Sequence, residues 1–284
     1  MTRNIGNKII RLEKIESTNT YLKNNFELVK HHGLVVITKM QTSGRGRAGR
    51  KFISIPHKNV TFSVVLHPKL PIEKLQLFSL LAGIVVARVL ENYVDEIRLK
   101  WPNDVLVRGK KICGILLETI VNNNTHYPYL ILGIGINTKG TLKDYPIELQ
   151  NKVTTLEEEI KENTNVIDEQ DKELLVENEK IFQEILVELE SCIKIFMKDD
   201  EKINSFGYLY SNYKSLIKEW LKRSKALGTK VRSLNKVEEN AKVSEIVGVI
   251  EGLTSDGFLK IRTNSGQVIT QVSGDVVEIN EDEL

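Results

Sequence analysis

The chain has 284 residues, 41% hydrophobic and 27% charged, with 40 Lys and Arg against 38 Asp and Glu. That length suits one large domain or one large and one small, and that composition is globular rather than disordered or fibrous. The near balance of charge excludes the bulk basic field usual in a nucleic-acid binder, and no apolar run reaches membrane-spanning length.

The first residues lack the apolar core of a secretory signal. Cys113 and Cys192 lie far apart without metal-ligand spacing, which points to a reduced, cytoplasmic compartment. Residues 17–30 read as a helix entered through a hydroxyl cap at Ser17, with Leu22, Phe26 and Val29 on one face. A strand over 34–40 feeds the loop 41–50, QTSGRGRAGR. Its glycines allow close approach of backbone to ligand, and its arginines offer forks of donors for phosphate or carboxylate. Gly44, Gly46 and Gly49 also satisfy G-x-G-x-x-G, but a dinucleotide-binding turn needs a helix directly after it. Here residues 59–66 alternate at period two and read as a strand.

Pro71 suits a first helical position, and Leu75, Phe78, Leu81, Val85 and Val89 mark one face of a long buried helix. A strand over 97–101 is stopped by Pro102. Residues 105–108 and 112–118 flank Gly109, Lys110 and Lys111, the composition of a tight hairpin, and 129–136 is another buried strand. Hairpins, with long helices between strands, predict an α+β fold: a mixed β-sheet with helices packed on one face. Residues 154–180 are polar and acidic and read as a surface insertion, partly mobile. Helical periodicity returns at 181–189 and 213–221. After Gly228, strand-like runs joined through Asp256-Gly257 and Ser265-Gly266 predict a small β barrel. The expected division is therefore 1–227 and 228–284.

Several cations in this chain stand at element ends: Lys100 closes one strand, Lys111 opens another, and Arg45 and Arg47 sit on the loop. Together with Ser17-Thr18-Asn19, the segments GRGRAGR, KWPND (100–104), KICGILLE (111–118) and GIGIN (133–137) follow one another in the order found in biotin protein ligases. The chain resembles that family motif by motif over its first half, and again in its C-terminal β unit.

The resemblance implies a class II synthetase-like catalytic domain of the biotin/lipoate ligase type with an SH3-like tail. It implies an ATP-dependent ligase that activates biotin as biotinyl-5'-AMP and passes it to a lysine of a biotin carboxyl carrier domain. Lys111 is then the lysine beside the carboxylate and acyl phosphate, with Lys110 its competitor and Arg47 and Lys100 as further catalytic cations. Ser17, Thr18, Asn19, Gln41, Arg45, Gly46, Arg47, Trp101, Lys111 and Gly114 become the biotin contacts. Arg45, Arg47, Lys100, Asn103 and Asn137 become the nucleotide contacts, and Asp104 the candidate Mg²⁺ ligand. Each has a plainer reading: Ser17 and Thr18 as a helix cap, Trp101 as core, Asn103 and Asp104 as a turn, Gly133 and Gly135 as close packing.

Only 16 residues precede Ser17, so no winged-helix DNA-binding domain and no DNA partner are expected, nor a membrane; the state is monomer or homodimer. The residues at 154–180 align with nothing in the family. A lipoate ligase or octanoyl transferase is the enzymatic alternative, but its Gly-Gly loop ahead of a histidine is missing, and Cys113 lies in an apolar strand. A nucleic-acid-binding module is the other alternative. Aromatics make up only 6% of the chain and none interleave with the loop arginines.

Overall fold

Strands β3 (Asn59–Leu66) and β7 (Tyr129–Asn137) are buried along nearly their whole length, so they need cover on both faces. In the structure, a computed structural model that describes residues 4–121, 126–163, 176–197, 206–235 and 244–279, these two strands occupy the centre of a seven-stranded sheet. The others are β1 (Ile9–Leu12), β2 (Val35–Thr38), β4 (Ile97–Lys100), β5 (Asp104–Val107) and β6 (Lys110–Ile120). Their order is β1-β2-β3-β7-β6-β5-β4. Only β1 and β2 run parallel, so the sheet is mixed as expected.

Helix α3 (Gln76–Leu90) is buried almost all round because it is sandwiched. The sheet lies on one side of it, and α6 (Asn178–Met197) and α7 (Phe206–Ser224) on the other. Edge-on ring contacts join Phe62 to Phe182 and Phe78 to Phe196. Arg88 fastens α3 to both outer helices through Glu188 at 2.7 Å and Glu219 at 2.8 Å. The main helical layer thus covers one face. The other face carries a smaller core of Leu22, Val29, Leu34, Val36, Val65 and Ile131 beneath α1 (Thr18–Asn24) and α2 (Phe26–Val29). These two were expected as a single helix. Asn25, at φ −123° and ψ 69°, interrupts it.

Two further differences bear on function. The hairpin between β5 and β6 turns at Arg108 and Gly109, with φ of 46° and 80°, the left-handed pair of a two-residue turn. Strand β6 therefore begins at Lys110, and Lys111 lies within a strand rather than a turn. After the short helix α4 (Ile147–Gln150), the acidic stretch begins as an anchored helix, α5 (Leu156–Asn163), with Leu156, Glu159 and Ile160 buried. Its middle, 164–175, lies outside the described residues.

The C-terminal unit is a five-stranded antiparallel sheet of order β11-β10-β9-β8-β12. Its strands are β8 (Lys230–Asn235), β9 (Ser244–Leu253), β10 (Leu259–Thr263), β11 (Val268–Gln271) and β12 (Asp275–Glu278). It meets the first sheet's layer at Asp256, paired with Lys74, and at Gly257, packed on Leu77 and Leu80. No helix among the described residues is long and apolar enough to cross a membrane.

Candidate active site

On the sheet face away from α3, cross-strand register sets small residues side by side. Thr61, Gly135, Gly114 and Asp104 form one row, and Ser63, Gly133 and Leu116 the next. Two of these glycines are required by what crosses them. A Cβ at Gly133 would stand 2.4 Å from Asn19 Oδ1, and one at Gly135 would stand 2.5 Å from the Phe52 ring. These rows floor a cavity of about 120 Å³ whose walls come from α1, the loop 41–52 and the Asn103–Asp104 turn. A second cavity, of about 390 Å³, adjoins it across Arg45, Gly46 and Arg47. A larger cavity, of about 1060 Å³, lies beside α7 and is lined by Tyr213, Ile217, Leu221 and Leu253 together with Lys214 and Lys218. It gathers none of the groups below.

The start of α1 supplies the polar wall. Ser17 caps the helix, its Oγ accepting from Thr20 N at 3.4 Å. Gln41 Oε1 accepts from Thr18 N at 2.8 Å and from its Oγ1 at 3.2 Å. Ser63 Oγ lies 2.6 Å from Thr18 Oγ1 and 2.5 Å from Asn19 Oδ1. Asn19 Nδ2 donates to Glu118 Oε2 at 3.0 Å. These side chains are fixed before any ligand arrives, as preorganised recognition requires. Thr61 Oγ1, also buried at this wall, has no hydrogen-bond partner.

The charged end lies across the floor. Lys111 Nζ is 2.6 Å from Asp104 Oδ1 and 3.2 Å from where a Gly114 Cβ would be. That Asp104 oxygen makes no hydrogen bond of good geometry. The loop folds as a small hairpin: Gly46 N donates to Arg50 O and Phe52 N to Gly44 O. Arg45 reaches Glu118 at 3.5 Å and Arg50 reaches Asp275 of the C-terminal unit at 2.8 Å. Burial, then the neighbouring Arg50, holds the Arg47 guanidinium below its usual pKa. It is a cation short of countercharge. Glu118 shows the opposite balance: burial pushes its carboxyl up, but hydrogen bonds from Lys23 and Asn19, with Arg45 nearby, bring it below the usual range.

Of the residues singled out in the sequence, Ser17, Thr18, Asn19, Gln41, Arg45, Gly46, Arg47, Asn103, Asp104, Lys111 and Gly114 all line the first cavity. Three do not. Trp101 is buried and donates from its indole N–H to Gly257 O at 3.0 Å, so it belongs to the core under the C-terminal unit rather than to a biotin wall. Asn137 is buried with its amide committed to Asn59, Thr154 and the Lys111 carbonyl, which leaves it away from the lining. Lys100 pairs with Asp104 in register, one strand outside the cavity. Lys110 opens β6 beside Lys111 but does not line the cavity either.

Sequence reasoning missed Phe52, Thr61 and Glu118. The flat Gly133–Gly135 surface was the signal for Phe52, since such a surface calls for a ring or amide to lie on it. Cys113 is fully buried and burial pushes its thiol well up, which fits a packing role rather than a nucleophile. Among the described residues no group of three or more His, Cys, Asp or Glu could hold a metal ion by itself.

The chain is similar to known proteins over both of its sheets. The family model described as the Biotin/lipoate A/B protein ligase family matches residues 12–137, and that of the Biotin protein ligase C terminal domain matches 240–277. The bifunctional ligase/repressor BirA of Bacillus subtilis is 27% identical over 93% of this chain and 72% of its own length. The biotin--[acetyl-CoA-carboxylase] ligase of Mycobacterium tuberculosis is 38% identical over 37% of this chain and 39% of its own. Among solved structures, the biotin protein ligase of Aquifex aeolicus in complex with biotin and ATP is 28% identical, with a TM-score of 0.71 over 96% of this chain and 99% of that one. With matches at both ends of the chain and a shared fold between them, the chain belongs to the biotin protein ligase family.

Proposed function

We propose that this chain is an ATP-dependent biotin protein ligase of the cytoplasm, which forms biotinyl-5'-AMP and transfers the biotinyl group to a lysine of a biotin carboxyl carrier domain. The observation that carries this reading is the joining, in one cavity, of a fixed polar wall at Ser17, Thr18 and Gln41 to a cationic end at Lys111, Arg45 and Arg47. A ureido ring offers two N–H donors and a carbonyl acceptor, which hydroxyl and amide groups can match. The carboxylate end of the same molecule would then lie toward Lys111.

A carboxylate oxygen must attack the α-phosphorus of ATP, forming the mixed anhydride and releasing pyrophosphate. Both reactants are anions, so their approach and the charge that grows on phosphorus need fixed cations. Lys111 meets that need from a strand, and Arg45 and Arg47 meet it from the loop. In the second step the carrier lysine's amine attacks the acyl carbon, loses a proton and displaces AMP. Asp104, whose Oδ1 pairs with Lys111 Nζ at 2.6 Å, would supply one carboxylate donor to Mg²⁺, which takes its remaining ligands from phosphates and water. When bound, that ion would neutralise triphosphate charge.

Biotin-dependent exchange of labelled pyrophosphate into ATP tests the proposal, with lipoate and RNA as controls. Exchange with biotin alone is expected. Exchange that needs lipoate, or none with either acid, sinks it.

A further inference from the structure

The acidic stretch at 154–180 read as a peripheral insertion, yet its first turn is built into the mount of Lys111. Where β7 ends at Asn137, residues 152–154 take its place beside β6. Lys111 N donates to Lys152 O at 2.8 Å, and Lys111 O accepts from Thr154 N at 3.0 Å. Thr154 Oγ1 then donates to Glu159 Oε1 at 2.6 Å. The other oxygen of Glu159 accepts from Arg108 Nη1 at 3.1 Å, and Arg108 is a corner of the hairpin turn that joins the strand of Asp104 to that of Lys111. One carboxylate thus touches both flanks of the Lys111 strand.

Glu159 and Glu190 are the only buried carboxylates among the described residues, and Glu159 is just 2% exposed. A buried carboxylate stripped of partners is strongly destabilising, so its two contacts hold each other in place. Its neighbours tie elsewhere: Glu157 pairs with Lys161 and accepts from Gly140 N at 2.7 Å, and the Glu158 backbone N–H donates to Thr155 Oγ1. Lysine side chains are flexible, so where Nζ arrives depends on where the backbone is held.

We propose that Glu159 is a positioning residue for adenylate formation, acting on Lys111 through Thr154 and through Arg108. This rests on the ligase reading above. The groups facing the biotin ring hang from α1 and the loop, and Lys111 meets only the carboxylate end, so loosening the Glu159 clamp should slow chemistry far more than it weakens biotin binding.

The test uses the full chain with Glu159→Gln, Glu159→Ala and Thr154→Val. Pyrophosphate exchange at saturating substrates is measured beside biotin affinity and stoichiometry by calorimetry. Turnover should fall about tenfold for Glu159→Gln and Thr154→Val and up to about a hundredfold for Glu159→Ala, the scale on which a 1 Å misplacement acts. Biotin affinity should fall much less, by about threefold at most, since Lys111 is the one contact that shifts. Unchanged turnover in a variant that binds biotin normally overturns the proposal. So does a loss shared equally between affinity and turnover, which would mark a general scaffold. If Glu159→Ala does not fold, the isosteric Thr154→Val decides. An inactive wild-type chain would instead remove the ligase reading, and this inference with it.

Discussion

At Thr61 a buried hydroxyl borders the cavity without a partner, and an orphan of that kind costs about 1–3 kcal/mol until something completes it. Thr61→Val keeps the shape and removes the orphan. The free protein should melt a few degrees higher while biotin affinity falls about tenfold, two shifts of opposite sign. If calorimetry finds affinity unchanged, the hydroxyl does not meet the ligand. Lys111→Ala should leave a folded protein whose adenylate formation drops at least about a hundredfold, the loss typical of one preorganised charge; near-normal exchange would hand the role to Lys110 or Lys100. Glu118 makes a prediction in pH. Its folded pKa is depressed, so its tie to Lys23, Asn19 and Arg45 stabilises fully above the unfolded carboxyl value of about 4.3 and is lost as pH falls through the lower folded value. The melting difference between the wild type and Glu118→Gln should thus be constant near neutrality and close below about pH 4. A difference that persists to pH 3 would mean that Glu118 acts by shape, not charge.

Among the elements, the glycine–arginine loop separates two kinds of glycine. A Cβ at Gly44 would stand 2.4 Å from Phe52 O, whereas at Gly46 the nearest atom is Arg50 O at 3.4 Å. Serine is therefore accommodated at Gly46, and Gly46→Ser or Arg47→Ala should form the adenylate but retain it poorly. Escaping biotinyl-AMP would be read as biotin on lysines of bulk protein. Amides over 43–50 should exchange faster in the free enzyme than with biotin and ATP; equal protection would make the loop a fixed hairpin. This loop was legible in the sequence because glycine and arginine announce backbone freedom and charge locally. So were the Ser17 cap and the α3 face. The break at Asn25 was not, since the apolar spacing of Leu22, Phe26 and Val29 continues through it. Nor was the exact place of the turn before Lys111, because Gly109 suggested a longer turn and Arg108 gave no sign of its left-handed φ. That Trp101 and Asn137 lie outside the cavity lining was hidden for one reason: a motif gives the order of residues, not the face of the sheet each side chain takes.

The whole molecule joins its two units through a shared apolar core and through varied specific contacts: the Lys74–Asp256 pair, Gly257 on Leu77 and Leu80, Trp101 on the Gly257 carbonyl, and Arg50 with Asp275. The last of these ties the glycine–arginine loop to the C-terminal unit. We propose the boundary at 227–228, and a chain ending at Leu227 should keep biotin binding while ATP use or transfer suffers. Complete loss of biotin binding in a soluble, folded truncation would contradict that division. The Trp101 contact has a practical side as well. The chain has two tryptophans, both buried, Trp101 at the seam and Trp220 within α7. With Trp220 replaced by phenylalanine, the one remaining indole reports on the seam alone. Its emission would redden as water reached it, so the opening of the two units could be followed by light, in the unlabelled protein and during turnover.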